Sequence, residues 1–293
     1  LTAPSPGARI LAAIAAALCL AATTVWARPP VWVAKRGGAT MFLFGSIHLL
    51  PPGLDWRPQA LIDALAKADT IIFELPIDMG ADAEAVRLAR TLGSWPAADS
   101  LSAHLTDIER KRLARVARLL GASPEALDRL RPWLAEVTLS LMDDTRNGAA
   151  ATQGVEQQIQ QMAPATARRD AFETVHQQIG FLAGAPLADQ VASLDETLRE
   201  IEEEPDSYRR TVTEWMSGDV TALQTDALSP LLRASPVIYR RLIADRNARW
   251  AADLRRRLSR PGLTVVIVGM GHLVGPGGVP ALLRARGVKV EGP

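Results

Sequence analysis

Thiol chemistry is nearly closed to this chain. Its one cysteine, Cys19, lies in an apolar stretch near the N-terminus, so the remainder can build no disulfide, thiolate nucleophile or zinc–thiolate site. Net charge is almost absent as well, +1 at neutral pH, and no basic tract is interleaved with aromatics, which argues against nucleic acid as a partner. Lysine is scarce, four residues against 29 arginines, a bias that by itself reads as solvated surface. Low-complexity linkers are missing too, so residues 28–293 read as one domain. What the chain does have is 293 residues, 48% of them apolar, enough for a sizeable core.

The first residues differ from the rest. Arg9 precedes the uncharged run Ile10–Ala22, and Val25-Trp26-Ala27 is followed by Arg28-Pro29-Pro30. A basic start, a short apolar stretch and a small residue at the cut form the order of a secretory signal, with cleavage expected after Ala27 and a periplasmic or secreted product. The run 10–27 also approaches the length of a membrane span, so an uncleaved inner-membrane anchor is the alternative, and membrane contact is expected only through it. Leu18 before Cys19 does not suit a lipoprotein cleavage site.

One short phrase is written twice. "GSIHLLPPG" (45–53) and "GMGHLVGPG" (269–277) agree at five of nine positions, and each follows an apolar run, "MFLF" or "VVIV". Strands are predicted at 31–35 and 40–47 around Gly37-Gly38, at 70–74, at 263–268 and at 288–291, with helices at 57–68 and 279–285. Strand, helix and strand in close succession predict that 40–47 and 70–74 are parallel neighbours. Between about 98 and 258 the pattern is helical, with a capping box at Thr106–Glu109 and a Ser-Pro-Glu helix start at 123–125. The expected fold class is α/β (α+β): a central sheet built from the N- and C-terminal segments, carrying a large helical insertion.

In open α/β sheets ligands bind at the carboxyl ends of the strands. Both Gly-x-x-His phrases and Glu74, which ends "TIIFE", fall at such ends. Two neutral imidazoles and a carboxylate, His48, His272 and Glu74, would suit a divalent ion with open coordination positions, able to activate water and polarise a carbonyl. Alternatively, His48 or His272 acts as a general base without metal.

These residues resemble a family. "FLFGSIHLLP" (42–51), "IIFELP" (71–76) and "VIVGMGHLVGPGGVPALLRARGVKV" (266–290) are similar to the marks of the TraB/GumN family and its animal relatives, the Tiki proteases. "TQGVEQQIQQMA" (152–163) resembles the family's Gly-x-Asp helix, with Glu156 where aspartate is usual. "AFETVHQQIGFL" (171–182) resembles its Leu-Glu-Thr phrase and implies a role for Glu173; "DRNARWAADL" (245–254) resembles its Arg-Asn phrase and implies Arg246 and Asn247 as substrate-binding residues. The resemblance implies a fold shared with erythromycin-esterase-like and ChaN-like proteins. It also implies a metal-dependent, peptidase-like hydrolase that uses manganese, cobalt or zinc on a peptide or other small substrate, with His48, Glu74, Glu173 and His272 at its centre. The competing expectations are a non-catalytic haem- or metal-binding protein and an accessory factor in polysaccharide export or signalling.

Overall fold

The computed structural model describes residues 28–293, so the expected signal or anchor at 1–27 lies outside the described residues. Strands β1 (Val31–Arg36) and β2 (Ala39–Ser46) form the predicted hairpin, with Arg36 opposite Ala39 across the turn. Helix α1 (Gln59–Leu65) leads to β3 (Thr70–Phe73), and α2 (Met79–Leu92) follows, capped by Asp78, whose Oδ1 accepts the Ala81 N–H. Helices α3 (Asp107–Leu120), α4 (Pro124–Asp128), α5 (Pro132–Arg146) and α6 (Val155–Met162) come next. Strand β4 (Arg168–Ala171) then interrupts the helical region before α7 (Val175–Ala183), α8 (Leu187–Glu203) and α9 (Ser207–Ser217).

Two bent helices complete the region. The first, α10, runs through Val220–Leu223, a π turn at Gln224–Leu228 and Ser229–Ala234. The second, α11, runs through Pro236–Tyr239, a π turn at Arg240–Ala244 and Asp245–Arg257. The chain closes with β5 (Gly262–Gly269), α12 (Val279–Ala285) and β6 (Lys289–Glu291).

The six strands form one mixed sheet in the order β4-β3-β5-β2-β1-β6, so the fold is α/β with the sheet drawn from both ends of the chain. Two expectations need correction. First, β2 and β3 are not neighbours: β5 lies between them, parallel to both. The reason is hydrophobic: Val265–Val268 are at most 1% exposed, and an uninterrupted apolar strand belongs at the centre of a sheet covered on both faces. Second, the helical insertion contributes a strand of its own. β4, "RRDA", pairs parallel to β3 at the sheet edge, and its polar, half-exposed residues give no hydrophobic alternation.

Aromatic packing ties the helices to the site. Phe44, Trp56 and Trp215 form a buried cluster with ring centroids 5.5–6.0 Å apart, and Trp215 Nε1 donates to the Gly45 carbonyl at 2.9 Å. A hydrogen-bonded buried indole of this kind fixes α9 against the end of β2. A second apolar cluster, including Leu113, Leu139, Leu194 and Leu198, joins α3, α5 and α8 away from the sheet.

Candidate functional site

Four adjacent strands, β4, β3, β5 and β2, end at one edge of the sheet, and each delivers a polar side chain there. The register pairs Ser46 with Gly269, so the two Gly-x-x-His phrases leave the sheet side by side. β3 and β4 are in register as well, and beyond their last pair the Glu173 N–H still donates to the Glu74 carbonyl at 3.0 Å. His48, Glu74, His272 and Arg246 all line one cavity of about 660 Å³. Gly269 sits at the point of convergence. A Cβ there would lie 3.2 Å from Glu74 Oε1, 3.8 Å from His48 Nε2 and 3.8 Å from His272 Cδ2, so a side chain at 269 would fill the space the three groups face.

The inner part of the site is buried and centred on Arg246, which is 4% exposed. Its Nη2 donates to Glu74 Oε2 at 2.6 Å, and its Nε lies 3.0 Å from both oxygens of Glu173. Its Nη1 donates to the Leu242 carbonyl at 2.9 Å and to His272 Nε2 at 3.0 Å. The guanidinium also stacks on Trp250, 4.6 Å from the ring centroid. The π turn at Arg240–Ala244 immediately precedes this residue, an extra-wide turn of the kind that re-aims side chains at functional sites.

Asn247 settles the state of His272. Its Nδ2 donates to the Gly277 carbonyl at 2.9 Å, so its Oδ1 must face His272 Nδ1, 2.6 Å away, and accept that proton. His272 Nε2 is then left as the acceptor for Arg246. Burial, which outweighs the opposing pull of Glu74 and is reinforced by Arg246 and His48, pushes the His272 pKa down to about 4. Burial works against the charge of Glu74, yet the surrounding positive groups and the Gly269 N–H, 2.6 Å from Oε1, hold its pKa down at about 2. Because His272 is neutral at pH 7, the ionised state of Glu74 rests mainly on Arg246 and His48, with the Gly269 amide adding to them. Gln178 Nε2 adds a donor to Oε2 at 3.2 Å.

The outer part is His48 and Glu156. His48 Nδ1–H donates to Glu156 Oε1 at 2.7 Å, and Ser46 Oγ–H donates to the same oxygen at 2.5 Å. The Glu156 charge, opposed by desolvation and aided by the hydrogen bond, pushes the His48 pKa up to about 9. The His48 side chain remains 69% exposed to a water-sized probe, because its ring forms part of the cavity wall. Glu156 reaches it through a close backbone approach. A Cβ on Gly154 would lie 2.1 Å from the His48 carbonyl oxygen, so only glycine lets the start of α6 press on this loop, where the Val155 N–H donates to the Ile47 carbonyl.

The structure thus brings together His48, Glu74, Glu173, Arg246 and His272, with different degrees of access. Asn247 is fully buried behind His272 and is not part of the cavity lining. Glu173 is 6% exposed and lies under Arg246. Sequence reasoning left out Ser46 and Gln178 altogether, and it registered Glu156 only as a longer side chain than the family norm. Ser46, two residues before His48 in the phrase, was the available signal for the first.

The expected metal set, His48, Glu74 and His272, does not fit a divalent ion in this arrangement. Among the described residues no group of three or more His, Cys, Asp or Glu is placed to hold one. The His272 Nε2 lone pair and Glu74 Oε2 are taken by Arg246. The positive charge a metal would bring among these carboxylates is already supplied by the guanidinium.

The chain is 25% identical over 262 residues to the uncharacterized protein YbaP of Escherichia coli strain K12, covering 87% of this chain and 92% of that protein. It is equally similar to YbaP of Shigella flexneri, and 22% identical over 268 residues to an uncharacterized protein of Treponema pallidum strain Nichols, 80% of which is covered. No solved structure matches. The TraB/PrgY/gumN family pattern matches residues 30–292, nearly the whole described chain, and the protein belongs to that family.

Proposed function

We propose that the carboxyl-edge pocket is a hydrolytic active site for a peptide or amide bond next to an apolar group, with His48 as the proton-transfer residue. One observation carries the reading: two copies of one phrase bring unlike imidazoles to a single glycine, His48 bonded to the Glu156 carboxylate and His272 accepting from the Arg246 guanidinium. Titratable pairs whose pKa values are driven apart mark a division between acid and base roles. His48, an imidazolium at neutral pH, gives a proton to the departing nitrogen as the C–N bond breaks. Glu74 Oε1, bordering the Gly269 space, orients the water whose oxygen joins the carbonyl carbon; one water proton leaves to solvent, from which His48 is reprotonated before the next turnover. Arg246 holds Glu74 in place and keeps it ionised. Apolar walls from Val137, Ile179, Leu182 and Leu231 receive the substrate side chain.

The test is turnover on a peptide library with bulky apolar residues. Activity should survive chelation. His48→Gln should lower kcat about 10²–10⁴-fold, the usual weight of a general acid–base group, with stability reduced by no more than the ion pair contributes, about 1 kcal/mol. Activity that appears only with added manganese, cobalt or zinc would replace this mechanism by the metal-dependent one. Absence of turnover, together with a Soret band on haem titration, would favour the binding-protein reading.

A further inference from the structure

The second large cavity lies at the opposite end of the sheet. It encloses about 1000 Å³ where β2, β5, β3 and β4 begin, roughly 23 Å along β5 from Gly269. Seven arginines line it against three aspartates, Asp69, Asp170 and Asp253. Arg257 bridges Asp170 and Asp253 at 2.7 Å each, Arg256 shares Asp253 at 2.8 Å, and Arg168 approaches Asp170 at 3.7 Å. Asp69 points one oxygen at the Leu263 N–H, and Arg286 spends one nitrogen on the Leu282 carbonyl. Among the described residues Arg36, Arg255 and Arg260 form no ion pair, and all three are exposed.

Helix-end electrostatics explains part of this cluster. Arg255, Arg256 and Arg257 occupy the last turn of α11, where cations offset the helix dipole. That argument does not reach Arg36 at the end of β1, Arg168 at the start of β4, or Arg260 in the loop before β5. Guanidinium groups from separate segments of the fold therefore meet over one concave surface, leaving an excess of four positive charges.

We infer that this cleft binds a ligand carrying a diphosphate or longer phosphate chain. Such a group carries three to four negative charges near neutral pH, which matches the excess, and planar guanidinium forks pair with phosphate oxygens two at a time. A concave surface with a net positive excess concentrates such an anion. The phosphates belong either to a soluble ligand or to a lipid headgroup, and both present the same chemistry to the cleft. The site is independent of the hydrolytic pocket, which occupies the other edge of the sheet.

The test uses the full chain with two probes. Inorganic tripolyphosphate is titrated calorimetrically at low and physiological salt, and co-sedimentation is measured with phosphatidylcholine vesicles with and without diacylglycerol diphosphate. Binding should weaken with salt and fall at least about 10-fold in the triple variant Arg36→Gln/Arg255→Gln/Arg260→Gln, since charge-assisted hydrogen bonds are lost. The triple lysine variant, which keeps the charge, should lie between. Tripolyphosphate binding assigns a soluble ligand; binding only to the diphosphate-lipid vesicles assigns a headgroup. Undiminished binding by the glutamine variant, sulfate binding as tightly as tripolyphosphate, or no binding of either probe by the native protein would overturn the inference.

Discussion

Glu156→Gln replaces a carboxylate by an amide of the same shape, and so isolates the charge that controls His48. The amide oxygen can still accept from His48 Nδ1 and Ser46 Oγ, so geometry should persist while the Coulomb attraction disappears. With that attraction the His48 pKa stands at about 9, against an ordinary value of 6.5. The variant should therefore titrate near or below the ordinary value, a fall of about two units or more. In a fully enclosed pair a shift of this size corresponds to about 3 kcal/mol. The ring is 69% exposed, however, so solvent screening reduces its contribution to stability to about 1 kcal/mol. The sign follows from linkage. His48 has a raised folded pKa, so its contribution is full below about pH 6.5 and disappears as pH rises through 9. Glu156 has a lowered folded pKa, so its contribution is full above about pH 4.5 and disappears on acidification through its folded value. Native protein and variant should then differ most in urea stability between about pH 4.5 and 6.5 and converge above pH 9. Histidine NMR titration reads the pKa directly, and with four histidines in the chain a His48→Ala sample assigns the resonance. A native His48 that titrates below about 7.5, or one whose pKa is unmoved by Glu156→Gln, would refute the proposed electrostatics.

Three further outcomes are expected. Arg246→Met should cost about 3–5 kcal/mol in urea unfolding, because Glu74 and Glu173 are left buried without their shared cation; a loss under 1 kcal/mol would show that the two carboxylates find other partners. Glu136, between α5 and α8, has its pKa raised to about 7 by desolvation that outweighs hydrogen bonds from Ser193 and Thr197. Its raised folded pKa makes ionisation destabilising above pH 7 and without effect below about 4.5, so Glu136→Gln should raise the melting temperature at pH 8, by up to about 3 kcal/mol of stability, and leave it unchanged at pH 4. Gly154→Ala places a Cβ against the His48 carbonyl, so it should destabilise by about 1–3 kcal/mol and also lower the His48 pKa by shifting Glu156; a stable variant with an unmoved His48 pKa would show that this contact does not set the position of Glu156.

The apolar strands were legible because burial is written in composition. "VVIV" could hardly be anything but a covered strand, and its place at the sheet centre follows from the same runs once all strands are compared. β4 was not legible, because an edge strand of four residues reading "RRDA" makes its case through backbone pairing rather than side-chain pattern. The π turns were invisible for a related reason: each inserts one residue into a helix whose apolar spacing merely drifts. Arg246 lies on the regular α-helical segment after the second turn, shares its inward face with Trp250 and Leu254, and is 4% exposed.

The repeated phrase carried the location of the site but could not carry its chemistry. The same Gly-x-x-His spacing on neighbouring parallel strands does put both imidazoles at one edge, because register carries Ser46 opposite Gly269. Protonation state depends instead on partners distant in sequence. Glu156, held by a glycine-permitted contact, charges one ring; burial, reinforced by Arg246, keeps the other neutral. A reader of the two phrases therefore assigns two equivalent metal ligands, whereas the folded chain makes two unlike groups. The buried cation between the carboxylates decides which description holds: so long as Arg246 stays bonded to Glu74, Glu173 and His272, a divalent ion must displace a guanidinium held by five polar atoms before it can bind there.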